Sequence, residues 1–412
     1  MLFQSFTQGS RSALVRMRFS ADYIQEGVSA VVIGAWIAKF EKAYRIIRRD
    51  RKYFSAKADA TRDYIRRFSP PALSGEEIRD IDTFWKRFGI RLDHYRWHQM
   101  YYHITGIRDP RFIPQNLAQA VLYPYYNDLS ETKVWADKNY FERFVPVMRF
   151  PRMLGQRIHG RYYDADHRIY TEEEAETFCR TVFSHMTGEG PYSIVIKETS
   201  DTKQGIGVKK YGFASEPELL EIIRNHADRD NYMIQSAIEQ HPFFAQFNAS
   251  SVNIVRITTW RNGKDILVFA PCIRFGVEGS CTDVAHIDGV EIVQCAGVGS
   301  DGRVKDEYVT LRGEKKPLQI ENKQIPRWGE MLECVKKGHQ YLEHFDIVAW
   351  DMTVDKQGQV ICIEYNIRSP GTIVYQMADG PFAGEKTEDF LKFLADRKYQ
   401  KKYLPRKLRL RR

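Results

Sequence analysis

Two apolar runs flank a short polar turn between Phe345 and Gly371, FDIVAWDMTVDKQGQVICIEYNIRSPG. The pattern predicts a pair of strands joined at Asp355-Lys356-Gln357-Gly358. Asp351, Glu364 and Asn366 interrupt those runs. A turn at that place sets Val354 opposite Gln359, and so Asp351 opposite Cys362 and diagonal to Glu364. Alternation then puts Ala349, Asp351, Cys362, Glu364 and Asn366 on one face. Diagonal neighbours across a strand pair lie roughly 7–8 Å apart. Two carboxylates and an amide oxygen at that spacing suit a hard divalent cation. Buried acids on adjacent strands repel and lose hydration unless a cation or a shared proton compensates. The apolar neighbours Ile347, Val348, Trp350, Ile361 and Ile363 favour a core position over an acidic patch on a solvated edge.

Elsewhere the periodicity sorts the chain into a helical front and a strand-rich remainder. Residues from about 20 to 105 read as helical. Ser74 and Glu77 are spaced as a capping box, and Ile78, Ile81, Phe84, Trp85 and Phe88 trace one apolar face behind it. Asp93, His94 and His98 have metal-friendly spacing, but among Tyr95, Trp97 and Tyr101 they read as packed side chains. From about 108 to 170 the chain is rich in Pro, Tyr and Arg, with short elements. Thr171-Glu172-Glu173-Glu174 predicts a helix start, with the helix running to about Met186. Strands are expected at 192–197, 208–211, 231–238, 252–260 and 265–275, with a hairpin turn at Asn262-Gly263. Helices are expected at about 215–226, where Ser215 and Glu218 suggest a second capping box, and at about 326–343. The expected regions are 1–107, 108–190, 191–245, 246–396 and a basic tail, 397–412.

Composition narrows the class. The chain has 412 residues, 43% of them hydrophobic and 13% aromatic, enough for two or three packed units and too apolar for a disordered chain. Six cysteines stand alone without a CxxC pair, which argues against structural zinc and for a reducing compartment. The net charge of +9 is matched by Arg397, Lys398, Lys401, Lys402, Arg406, Lys407, Arg409, Arg411 and Arg412, so the remainder is formally neutral. The plainer reading of the tail is a solvated segment. The alternative is contact with an anionic membrane surface, with nucleic acid less favoured. Val28 to Ala38 is the most apolar stretch, too short to span a bilayer, and reads as a buried helix. The expected location is cytoplasmic, with attachment to the inner face of the membrane as the alternative that the tail leaves open.

Ser193-Ile194-Val195-Ile196-Lys197 is an apolar strand ending in a lysine, and a polar loop with Gly205 and Gly207 follows it. A lysine there offers a point charge to a phosphate, and glycines let backbone N–H groups approach one. No GK[ST] follows, so the loop is not a P-loop.

That order, a lysine strand, a glycine flap and then acidic strands, resembles the ATP-grasp superfamily. It is most similar to the sugar-transfer-associated ATP-grasp branch. The resemblance covers roughly residues 105–395 and rests on several motifs. Asp137-Lys138 matches the pair ahead of the grasp domain, Lys197 the strand lysine, and Thr202 to Val208 the flap. Tyr232 to Glu239 matches the nucleotide hinge. Ser251-Val252-Asn253 with Arg256 and Arg274-Phe275-Gly276 match two further strands, and Asp351 with Glu364-Tyr365-Asn366 the metal strands.

The resemblance implies an α/β (α+β) fold in which two lobes clamp ATP behind a mainly helical N-terminal region. The lobes would be 191–245 and 246–396, with 108–190 a pre-grasp region. Lys138 and Lys197 would contact the α- and β-phosphates, main chain around Gln235 to Ala237 the adenine, and Glu239 the ribose. Asp351, Glu364 and Asn366 would hold Mg²⁺, as two ions. Many relatives carry an arginine two residues before the metal aspartate, where this chain has Ala349. Arg256, Arg274 and Arg368, in that order, are the candidates to replace it. The usual DN pair is also altered, since Asp283 is followed by Val284, leaving Asp283 and His286 as acceptor-side candidates.

The implied activity is that of an ATP-dependent carboxylate–amine ligase working through an acylphosphate. Its substrates would be a small molecule or sugar nucleotide carrying a carboxylate, plus an amine. The product would be a uronate amide or an aminoacylated amino sugar for a cell-surface polysaccharide or capsule. The alternatives are an ATP-grasp phosphotransferase and an inactive module that binds nucleic acid or membrane.

Overall fold

The computed structural model describes Tyr44 and residues 57–186, 190–199, 207–287, 289–405 and 408–410. The chain divides into two compact units, Met1–Arg51 and Lys52–Arg412, and all of these residues but Tyr44 fall in the second. The helix expected at 28–38 and the flap glycine Gly205 lie outside the described residues.

Two antiparallel sheets organise the second unit. The smaller contains β1 (Met153–Ile158), β2 (Arg161–Asp164), β3 (Ile169–Tyr170), β4 (Tyr192–Glu198), β5 (Val208–Phe213) and β6 (Tyr232–Ser236), in the order β3-β2-β1-β6-β4-β5. The larger contains β7 (Ile254–Asn262), β8 (Asp265–Phe275), β9 (Val284–Ile287), β10 (Val290–Val298), β11 (Val304–Thr310), β12 (Lys315–Pro317), β13 (Ile347–Val354) and β14 (Val360–Asn366). Its order is β12-β11-β10-β8-β7-β13-β14, with β9 beside β10.

Helices cover both sheets. In the front part lie α1 (Lys57–Phe68), α2 (Gly75–Arg87) and α3 (Arg96–Thr105). The small sheet carries α4 (Ala175–Ser184) and α5 (Glu216–Arg224), the large sheet α6 (Trp328–His339) and α7 (Ile373–Asp379), and α8 (Arg397–Tyr403) closes the series. Ser74 and Glu77 form the expected capping box at α2. Ser215 does not cap α5 in that way. Glu218 instead accepts from the N–H of Ala214 and the hydroxyl of Ser215. The helix expected from Thr171 begins only at Ala175, after Thr171 N–H has bonded to the Glu174 carboxylate.

The centre of the large sheet is buried on both faces, which is why β13 is apolar at consecutive positions rather than at alternate ones. One face, with Trp260, Phe269, Cys272 and Ile347, packs under α1–α3 and α7. The other, with Val255, Ile257, Val348 and Trp350, packs under α6 and the Phe141–Phe150 segment. A third core joins α4 and α5 to Leu154, Ile194, Ile196 and Ile234 of the small sheet. Under α6, Trp350 Nε1 donates to Thr259 Oγ1 at 2.8 Å, and His339 Nδ1 lies 2.7 Å from the same oxygen. His339 Nε2 lies 2.8 Å from the Phe345 carbonyl, which sets the ring as a neutral Nε2–H tautomer.

The basic tail corrects the sequence reading. Leu404 and Leu408 are fully buried in the same core as α1–α3. Arg91 N–H donates to Leu408 O at 2.7 Å, Ile90 bridges to Arg409, and Gln400 Nε2 donates to Phe88 O. Two leucines and a short bridge outweigh the solvation of the flanking charges, so residues 397–405 and 408–410 are a docked strap and not a solvated tail. The basic residues of α8 face outward. Among the described residues, no helix is long and apolar enough to cross a membrane.

Candidate nucleotide site between the two sheets

The hairpin of β13 and β14 holds the acids in a register other than the expected one. Its loop runs from Asp355 to Gln359, with Asp355 N–H bonded to Gln359 O and Gly358 in the left-handed region at φ 79°. Val354 therefore pairs with Val360, one residue later than the sequence suggests. A bulge beyond Met352 adds a second offset and sets Asp351 directly opposite Glu364. Cys362 pairs with Met352 and packs with it in the core beneath α6, while Ile363 turns toward the cleft. Cys362 accordingly leaves the set of site residues.

The three oxygen-bearing side chains converge. Asn366 Nδ2 lies 3.2 Å from Asp351 Oδ2 and 3.4 Å from Glu364 Oε1. Asp351 is also gripped from the adjacent strand by Arg256, its register partner, in a two-pronged ion pair with one contact at 2.6 Å. Burial pushes the Asp351 carboxyl up to about 6, against the pull of Arg256 and with Glu364 adding to the push. Burial would raise Glu364 as well, but Lys138, Lys197 and Arg256 outweigh it and hold that carboxyl below its ordinary value. Among the described residues, no third His, Cys, Asp or Glu joins the pair. Two carboxylates and an amide, which can turn its oxygen inward, remain a donor set that fits Mg²⁺.

The lysines approach from the small sheet. Lys197 sits at the end of β4 and is 7% exposed; Lys138 opens a short turn whose N–H donates to Thr199 O at 3.1 Å. Burial pushes Lys197 down to about 8; Glu364 opposes the shift and Lys138 adds to it. Both lysines line a cleft of about 610 Å³ with Phe141, Phe150, Met153 and Ile363. Gln235 reaches it from β6, its amide donating to Pro151 O at 3.1 Å. Gly207 opens β5 at φ 81°, where a Cβ would come within 3.0 Å of the Glu198 carboxyl carbon.

Other candidates are placed differently. Ser236 and Ala237 donate their N–H groups to Arg152 O and Ser193 O, so those two groups are committed to the sheet. Glu239 is exposed and paired with Lys356 of the β13–β14 loop at 2.9 Å, outside the cleft lining. Arg274 is buried and paired with Asp283 at 2.7 Å; Arg368, half-buried, donates to Thr132 O at 3.4 Å. Ala349 is buried between Thr258 and Asn366, and the arginine that reaches Asp351 is Arg256 of the next strand.

The SVN and RFG motifs meet in one joint. Asn253, fully buried, accepts from the Gly276 N–H and donates to the carbonyls of Phe244 and Asn248. A Cβ at Gly276 would lie 2.3 Å from Thr282 O, so the backbones close up only around a glycine. The joint aims Arg256 and Arg274 from neighbouring strands.

Gln156, Asp164 and His167 also line the cleft, and the sequence reading did not single them out. Their strands were hidden by a short hairpin turn at His159-Gly160, with both residues at positive φ. An X-Gly pair between two runs was the signal available.

Lys197 on the small sheet and Lys138 on the turn beside it, set against two acids and an amide on the large sheet, fit the ATP-grasp architecture, and the chain is of that class. A model of the sugar-transfer associated ATP-grasp family matches residues 117–390, well over half of the chain, and the chain belongs to that family. Among solved structures it is similar to the VanG D-Ala:D-Ser ligase of Enterococcus faecalis, 13% identical over 68% of this chain and 70% of that one, with a TM-score of 0.38. It is also similar to D-alanyl-alanine synthetase A of Vibrio cholerae, 11% identical over 65% of each chain, with a TM-score of 0.37. A stretch of 92 residues is 34% identical to the carbon catabolite-derepressing protein kinase of Saccharomyces cerevisiae, covering 21% of this chain and 14% of the kinase.

Proposed function

We propose that this chain is an ATP-dependent carboxylate–amine ligase that acts on a saccharide substrate. The observation that carries the reading is the convergence of Lys138 and Lys197 on Glu364, across from Asp351 and beside Arg256. A polyphosphate needs fixed cations along its length, and the metal that bridges it needs oxygen donors. Lys138 and Lys197 bind the phosphates on the small-sheet side. Asp351, Glu364 and Asn366 would hold Mg²⁺, which would neutralise phosphate charge when bound.

In the proposed first step, a substrate carboxylate oxygen attacks the γ-phosphorus, the bond to the bridging oxygen breaks, and ADP leaves. Arg256 and Arg274 stabilise the charge on the transferring group by position alone. In the second step, an amine attacks the acylphosphate carbonyl, phosphate leaves, and the amine proton passes to solvent. Phe141, Phe150, Met153 and Ile363 keep water from the phosphate end of the cleft. The family's association with sugar transfer supports a uronate or an amino sugar as one partner.

The test is ADP release by the purified chain with pools of sugar uronates, amino sugars and amino acids, followed by the mass of the product. The reading requires ADP release that depends on both a carboxylate and an amine, and a product lighter by one water than the sum of the two. A phosphorylated product formed without an amine would replace it with a phosphotransferase.

A further inference from the structure

A second pocket, open to solvent, lies at the far end of β7 and shares no lining residue with the nucleotide cleft. Tyr125, Tyr126, Trp260, Phe393, Tyr399 and Tyr403 make its walls. The rings are fixed by one another. Tyr125 lies flat on Phe393, their centroids 3.5 Å apart, and the rings of Tyr399 and Tyr403 stand nearly perpendicular to it at 5.1 Å and 5.9 Å. Phe393, Tyr399 and Tyr403 fall beyond the 117–390 span that matches the family.

The polar groups are the second observation. Arg261 and Lys392 are balanced by Asp346 and Asp389, so the pocket has no net charge to select an ion, and Asn262 adds an amide. Arg261 already donates to the His339 and Leu342 carbonyls at 2.7 Å and 3.2 Å, which leaves the planar carboxylates and the amide to pair with vicinal hydroxyls two at a time. Burial, with Tyr399, Asp346 and Tyr403 close by, raises the Tyr125 phenol, which stays a donor at neutral pH.

We propose that this pocket binds the uncharged pyranose ring of a glycan, stacked on the tyrosines and held by Asp346 and Asn262. Apolar ring faces met by a few convergent polar groups suit a ligand with apolar C–H faces and a hydroxyl rim. The same two strands serve both sites. Trp260 follows Arg256 by four positions on β7, and Asp346 precedes Asp351 by five, about 15 Å along the strands. A glycan held at the tyrosines is therefore anchored beside the nucleotide cleft without entering it. The inference does not depend on which reaction that cleft performs.

The experiment measures binding of neutral trisaccharides of glucose, galactose, mannose and N-acetylglucosamine to the full chain, by calorimetry and saturation-transfer NMR. At least one binds, the affinity falls tenfold or more in Tyr403→Ala, and Tyr403→Phe largely keeps it. Nucleotide affinity is the same in all three proteins, which shows that the variants are folded. Absence of binding by every sugar, sugar binding untouched by Tyr403→Ala, or tetramethylammonium taking the pocket in preference to the sugars would each overturn the proposal.

Discussion

Burial lowers Lys197 from an ordinary 10.5 to about 8, with the charge of Glu364 opposing the shift and that of Lys138 adding to it. A base lowered in the folded state binds fewer protons than in the unfolded chain between those two values. Folding stability therefore rises with pH from about 8 to 10.5, while the charge offered to a phosphate is lost over the same range. ATP affinity, measured by titration at fixed Mg²⁺, is expected to weaken as pH rises past 8, and Lys197→Met to be weak and flat with pH. Glu364→Ala is expected to cut ATP turnover more than about 100-fold, with an unchanged circular dichroism spectrum. Normal turnover in that variant would refute the metal assignment. Arg256 holds the Asp351 carboxylate that a cation would need. Removing it leaves a buried acid unpaired, at a cost of about 3–5 kcal/mol. Arg256→Ala is thus expected to melt lower than wild type, and Mg²⁺ to raise its melting temperature by more than it raises that of wild type.

At the scale of elements, the β13–β14 pair was legible in the sequence because its apolar runs are long and its loop is punctuated by glycine. Its register was not, because an extra loop residue and a bulge leave no mark in an apolar pattern. The strands expected at 192–197 and 265–275, found at 192–198 and 265–275, were readable for the same reason as the pair itself. β9 and β10 went unread although Asp288-Gly289 stands between them, as the runs on either side mix Glu, His and Cys with the apolar residues. The histidine of α6 could not be read at all, since Thr259, the side chain it meets, stands 80 positions away. Burial holds His339 down to about 3, so it stays neutral where the unfolded chain protonates. Acidification from about 6.5 toward 3 must then lower stability. Urea titrations should show a slope of unfolding free energy against pH that is shallower in His339→Asn, whatever the absolute stability of that variant.

On the scale of the whole molecule, composition placed nine positive charges in one segment but said nothing of what Leu404 and Leu408 do between them. The contacts that bury them are made to residues more than three hundred positions away, as from Gln400 to Phe88. No local pattern encodes a pairing at that distance. The strap is a core element. Leu408→Ala is expected to destabilise the protein by about 2–5 kcal/mol, measured by urea melts, with no change in binding to anionic vesicles. A loss of vesicle binding without loss of stability would return the segment to a surface role. The separation also has a consequence for synthesis. Ile81, Phe84 and Ile90 leave the ribosome early, yet the residues that complete their core emerge only after both sheets have been translated. The helical front must wait, partly uncovered, through most of elongation, and a ribosome that stalls late yields a nascent chain that is a natural client for chaperones.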